Sequence, residues 1–149
     1  MNTPLKKSVF LAEDDEDDRM IFEDALKEVQ LSTKLTTAKN GQQLMQILHD
    51  TVPPPPDVIF LDLNMPRKNG FECLEEIKRT QKLKDIPVVI FSTSFQEEDI
   101  KLTYERGANF YICKPGTFHL LKRVIEKVLF TNWKENIHKI PMDEYILKP

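Results

Sequence analysis

Five short apolar runs punctuate the chain, at residues 8–12, 35–38, 58–61, 87–91 and 110–113. Between them the apolar positions recur at three- and four-residue spacing, so the pattern alternates between two periods. The runs are rich in β-branched and aromatic residues and are bounded by turn-forming pairs, as buried strands are. The run at 35–38 is the weakest and closes on the turn pair Asn40-Gly41. The first helical stretch carries Met20, Ile21, Ala25, Leu26 and Val29 as its apolar face, with acids at its start that complement the helix dipole. Leu44, Ile47 and Leu48 mark a second helix, which stops before the four prolines at 53–56. A third follows Asn69-Gly70 with Phe71, Leu74 and Ile77, and a fourth covers residues 97–106 and ends at Gly107, a good C-terminal cap. The fifth carries Leu120, Leu121, Val124, Ile125, Val128 and Leu129. Strand and helix thus alternate five times, which implies an α/β fold with a parallel sheet covered on both faces.

The periodic spacing runs on past Leu129 through Phe130, Trp133, Ile137 and Ile140 until Pro141. The chain therefore divides into a domain over residues 1–130 and a C-terminal extension over 131–149. The extension is too short for an output domain and too apolar for a free tail. Folding back on its own domain and covering a partner or second copy are both consistent with it.

Composition narrows the class. The 149 residues fit one core, and a formal charge of -3 argues against nucleic acid, which asks for a basic face. No signal peptide opens the chain and no apolar stretch approaches membrane-spanning length, so a reduced, cytoplasmic setting is expected, with Cys73 and Cys113 as free thiols. Cys113 reads as a core residue and Cys73 as an ordinary helix thiol. The proline run reads as a stiff spacer. His49, His119 and His138 show no ligand or nucleophile spacing. Four glycines and no glycine-rich loop leave nothing to cradle a nucleotide phosphate.

The chemistry gathers at the strand ends. The first strand delivers Glu13 and Asp14, the third Asp62, the fourth Ser92 and the fifth Lys114. In a parallel sheet these ends share one edge, so the groups converge in a single crevice. Three carboxylates in one pocket repel one another, and a hard divalent cation with oxygen ligands, Mg²⁺ above all, relieves that repulsion. Ser92 and Lys114 add a hydroxyl and a positive charge able to hold an anion beside the metal. Asp15 to Asp18 read as a solvated helix start. The switch from Ser92 to the neighbouring Thr93 is one residue of register, and only one of the two can point at the crevice.

The Glu-Asp-Asp after strand one, the Leu-Asp-Leu-Asn-Met-Pro around Asp62, the serine ending strand four and the Lys-Pro after strand five together resemble a two-component response regulator receiver domain. The resemblance covers the chain from about Val9 to about Leu129. It implies a flavodoxin-like, doubly wound (βα)5 sheet in the order 2-1-3-4-5. It also implies that Asp62 accepts a phosphoryl group from a phosphohistidine on a sensor histidine kinase or a histidine phosphotransfer protein, in a Mg²⁺-dependent step. Asp14 would be the direct metal ligand, Glu13 would act through water, and the Asn64 carbonyl and Asp62 would complete the set. Ser92 would hydrogen-bond the phosphoryl oxygens, Lys114 would neutralise them, and Tyr111 would be the switch aromatic. Asn64 and Ser94 fall where similar receivers tune hydrolysis, and small polar residues there imply a labile phosphoaspartate. Stand-alone receivers of the cyanobacterial phytochrome type carry a similar aromatic-rich extension, which brings in a homodimer alongside an unidentified downstream protein.

Two other functions compete. An aspartyl-phosphate hydrolase would place its nucleophile after the first strand with a second aspartate two residues on, whereas here the lone strand-end aspartate lies on strand three. A binding-only pseudo-receiver would lose one of the acids, and this chain keeps them all. The chain is thus expected to catalyse its own phosphorylation and dephosphorylation, with no turnover of an external substrate.

Overall fold

The computed structural model describes residues 6–133 and 140–149. Five parallel strands, β1 (Lys7–Ala12), β2 (Thr33–Ala38), β3 (Val58–Leu61), β4 (Val88–Ser92) and β5 (Phe110–Cys113), form one sheet in the order β2-β1-β3-β4-β5. Between them run α1 (Glu16–Lys27), α2 (Gly41–Thr51), α3 (Gly70–Arg79) and α4 (Glu97–Glu105). After β5 come α5 (Phe118–Leu129) and a short α6 (Met142–Tyr145). The doubly wound order places the topological switch between β1 and β3, the two strands that carry the acids.

Alternation along each strand divides the core in two. Val9, Leu11, Val58, Phe60, Val89, Phe91 and Ile112 face α1 and α5. Phe10, Ala12, Ile59, Leu61, Val88, Ile90 and Tyr111 face α2, α3 and α4. On the first face Phe22 is wholly buried, edge-on to Phe60 at 4.9 Å and to Phe91 at 5.7 Å.

Local signals set the helix starts. Asp15, Asn40, Asn69 and Thr117 each accept from a backbone N–H in the first turn, and Asn69 with Glu72 makes a reciprocal capping box. At the other end of α4, Gly107 takes a positive φ of 96°, the left-handed turn its lack of a side chain permits.

The structure departs from the sequence reading in four places. The buried stripe of α1 is Phe22, Ala25 and Leu26, continued by Val29, while Met20 and Ile21 are exposed, so the apolar face is rotated by one residue. Cys73 is the buried thiol, its Sγ donating to Gly41 O, and burial pushes its pKa up to about 12. Cys113 is only half-buried. Helix α5 ends at Leu129 with Phe130 as its cap, rather than running on towards Pro141, and Ile137 lies outside the described residues.

Candidate functional site

The sheet ladder itself assembles the site. Glu13 N–H donates to Ala38 O at 3.0 Å, Asp62 N–H to Ala12 O at 3.1 Å and Lys114 N–H to Ser92 O at 2.8 Å. Each functional residue is therefore the first one past its strand, held by the last hydrogen bond of the ladder. Glu13, Asp62 and Ser92 are buried polar groups, with Glu13 1% and Asp62 5% exposed, while Asp14 is exposed at the rim. One carboxylate oxygen from each of Glu13, Asp14 and Asp62 lies within 4.8 Å of the others.

Lys114 sits across this cluster. Its Nζ donates to Glu13 Oε1 and, at 3.1 Å, to Asp18 Oδ2, and stands 3.8 Å from Asp62 Oδ2. It also lies 5.5 Å from the centroid of the Phe91 ring. Burial lowers the lysine pKa, but the Glu13 hydrogen bond and the Asp62 charge outweigh it and leave the value raised, so the amine is a fixed cation. For Glu13 burial acts first, the shared hydrogen bond with Asp62 adds to it, and Lys114 only partly compensates. The glutamate is pushed up to about 8. A buried acid held protonated beside two other carboxylates is a site short of positive charge. An all-oxygen donor set of this kind fits a hard divalent cation, which Asp14, Asp62 and Glu13 are close enough together to hold.

The loop after β3 is pinned around Asp62. Asn64 N–H donates to Asp62 Oδ1 at 3.3 Å, and Gly70 N–H donates to Leu63 O at 3.0 Å. A Cβ at Gly70 would lie 2.2 Å from Asp62 O, so only glycine lets α3 begin this close to the strand end. Lys68 and Glu76 form an ion pair that ties the same loop to α3, with His49 on the other oxygen of Glu76 at 2.8 Å.

On β4 the register question has a geometric answer. Ser92 is wholly buried and Thr93 is exposed. Ser92 Oγ accepts from Ser94 N–H at 3.1 Å, and Ser94 Oγ donates to Asp99 Oδ2 at 2.7 Å. Tyr111 is turned inward, with no exposed surface, and its hydroxyl donates to Ser94 O at 2.9 Å. Burial pushes the phenol pKa up, offset in part by hydrogen bonding to Ser92 and Ser94. All the residues expected to act together are thus brought to one sheet edge, with Asn64 exposed beside it.

Two contributors escaped the sequence reading. Asp18, which the sequence reads as a solvated helix acid, reaches Lys114; it lies four residues before Phe22 and so on the stripe of α1 that faces the sheet. Arg19 donates from Nη1 to Glu13 O at 2.8 Å and fixes the start of the acidic loop.

Comparison with known proteins bears on this arrangement. Over 126 residues the chain is 33% identical to the response regulator Rcp1 of Synechocystis sp., an alignment covering 82% of this chain and 86% of that one. The crystal structure of the phosphorylated cyanobacterial phytochrome response regulator RcpA superposes with a TM-score of 0.77 at 35% identity, over 83% of this chain and 91% of that chain. The Mn²⁺-bound form of Rcp1 superposes with a TM-score of 0.75 at 32% identity, over 91% of this chain and 99% of that chain. No helix among the described residues is long and apolar enough to cross a membrane. The model of the response regulator receiver domain matches residues 9–126, and the chain belongs to that family.

Proposed function

We propose that Asp62 is the phosphoacceptor of a receiver that takes a phosphoryl group from a phosphohistidine and passes the signal on by protein contact in a phosphorelay. The observation that carries this reading is the setting of Asp62: a buried strand-end carboxylate, with two further acids on one side and Lys114 Nζ 3.8 Å away on the other.

Phosphoryl transfer needs alignment and charge stabilisation more than covalent help. An Asp62 oxygen forms the new P–O bond as the P–N bond to the donor imidazole breaks, and the departing nitrogen keeps the electron pair and takes up a proton. Asn64 N–H on Oδ1 orients the carboxylate and leaves Oδ2, on the side of Lys114, as the nucleophile. Lys114 follows the developing charge by leaving Asp18 and Glu13 for a phosphoryl oxygen. Ser92 Oγ–H turns towards another. Mg²⁺, held by Asp14, Asp62, Glu13 and the Asn64 carbonyl, would supply the charge that lets three acids and a phosphoryl group share one pocket.

The mouth of the site suits a helical donor. A cavity beside Lys114 is lined by Asp18, Ile21, Phe91 and Phe118, of which Ile21 and Phe118 expose apolar surface. A sensor histidine kinase or histidine phosphotransfer protein offers an apolar helix face of that kind. Exposed Asn64 and half-buried Ser94 leave water an approach to the phosphoaspartate, so the acyl phosphate is short-lived.

Incubation with acetyl phosphate and Mg²⁺ tests the proposal. One phosphoryl group, labile to acid, to base and to hydroxylamine as an acyl phosphate is, is expected, absent from Asp62→Asn. A wild-type chain that acquires none, or an Asp62→Asn chain that acquires as much, refutes it.

A further inference from the structure

The end of the chain lies along the outer edge of β5. Tyr145 has no exposed surface and meets Tyr104 edge-on at 5.0 Å and Tyr111 at 6.1 Å. Its hydroxyl shares a 2.7 Å hydrogen bond with Thr103 Oγ1 inside the α4 face. Ile146 then bridges to Tyr111 as a parallel partner, and Leu147 N–H donates to Tyr111 O at 2.9 Å. Tyr104 OH donates to Ile140 O at 2.6 Å, and Lys127 Nζ to Lys148 O at 2.6 Å. The tail thereby closes the edge that β5 would otherwise leave unpaired.

What the tail grips is the side chain that leads to the site. From Tyr145 the contacts pass to the Tyr111 ring, from the Tyr111 hydroxyl to Ser94 O, and from Ser94 N–H to Ser92 Oγ. Tyr111 is inward, its ring wholly buried against Tyr145. The main-chain bridge to Tyr111 would survive a swing of the ring; the ring packing against Tyr145 would not. A contact made in one state and lost in the other is what shifts a two-state equilibrium.

We infer that residues 145–147 are an intramolecular latch that recognises inward Tyr111, so that tail docking and phosphoryl uptake at Asp62 favour one another. The coupling rests on the phosphoacceptor reading, in which Ser92 moves towards the phosphoryl oxygens and leaves room for the inward ring. Because binding linkage is reciprocal, the latch raises affinity at Asp62 by the same factor as occupation of Asp62 tightens the latch.

The test uses the whole chain with Mg²⁺ and beryllofluoride as the phosphoryl analogue. Two variants loosen the tail differently: Tyr145→Ala removes the ring, and Leu147→Pro removes the N–H donor while leaving the Tyr145 pocket filled. Beryllofluoride should slow exchange of the Leu147 amide in the wild type, and both variants should bind it at least about fivefold more weakly with the β3 amides still protected. If Tyr145→Ala fails to fold, Leu147→Pro alone decides. Variants that bind the analogue as tightly as the wild type, or more tightly, overturn the latch and leave the phosphoacceptor reading intact. A wild type that binds none overturns both. Protection of Leu147 that rises with protein concentration would assign the groove to a second copy's tail and overturn the intramolecular latch.

Discussion

Raising the pH over the metal-free protein should weaken its fold and strengthen its hold on Mg²⁺, both through Glu13. The glutamate is 1% exposed and its pKa is pushed up to about 8 from an ordinary 4.5, first by burial and then by Asp62. Because the folded value lies above the unfolded one, the folded chain holds more protons between those pH values, and stability falls as pH rises through that window. The full difference is on the order of 5 kcal/mol, a large part of the stability of a domain this size. Near pH 7 about nine-tenths of Glu13 carries a proton that a divalent cation must displace. Apparent Mg²⁺ affinity should therefore climb about twentyfold from pH 6.5 to pH 8.5, with close to one proton released per ion at neutral pH. Calorimetric titration in buffers of different ionisation enthalpy measures both quantities. Glu13→Gln should bind Mg²⁺ more weakly and without the slope. An affinity flat over that range in the wild type would refute the assignment of Glu13 as the group whose proton opposes the metal.

Three further outcomes follow from the packing. Phe22→Ala empties a wholly buried position between Phe60 and Phe91 and should cost about 3–5 kcal/mol in denaturant unfolding, whereas Met20→Ala on the exposed face should stay within about 0.5 kcal/mol. Gly70→Ala places a methyl 2.2 Å from Asp62 O, so it should lower the melting temperature and, in whatever remains folded, weaken beryllofluoride binding; an unchanged melt would show that α3 can shift away freely. Ser92→Ala should slow phosphorylation by acetyl phosphate by at least about tenfold through loss of one charge-assisted hydrogen bond, while Thr93→Ala should leave the rate within about twofold. The reverse order would mean that Thr93, and not Ser92, faces the phosphoryl group.

Asp62, Ser92 and Lys114 were legible because strand period and strand ends are local signals, and a parallel sheet converts several local ends into one edge. Glu13 and Asp14 came with them, since the acids follow β1 directly. The apolar face of α1 was misplaced by one residue because Met20, Ile21 and Phe22 are consecutive, and hydropathy alone does not say which of three adjacent apolar residues turns inward. Asp18 was hidden for the same reason: its role depends on the stripe through Phe22. Cys73 and Cys113 exchanged their expected burial, because Cys73 faces Gly41 across two helices and no local pattern encodes that contact. The tail was left open between self and partner for a deeper reason. Its grip depends on Tyr145 meeting Thr103 and Tyr111, contacts between segments far apart in sequence, and only the folded chain contains them.

The most direct measurement of the central claim is the position of the phosphoryl group itself. Reduction of the acetyl-phosphate-treated protein with labelled borohydride converts a phosphoaspartate to homoserine, and peptide sequencing by mass spectrometry locates it. Labelled homoserine at residue 62, dependent on Mg²⁺ and absent without the phosphodonor, is the expected result. Label at Glu13, Asp14 or Asp18 instead, or no label at all under conditions that keep the protein folded, would contradict the assignment of Asp62 as the group that receives the signal.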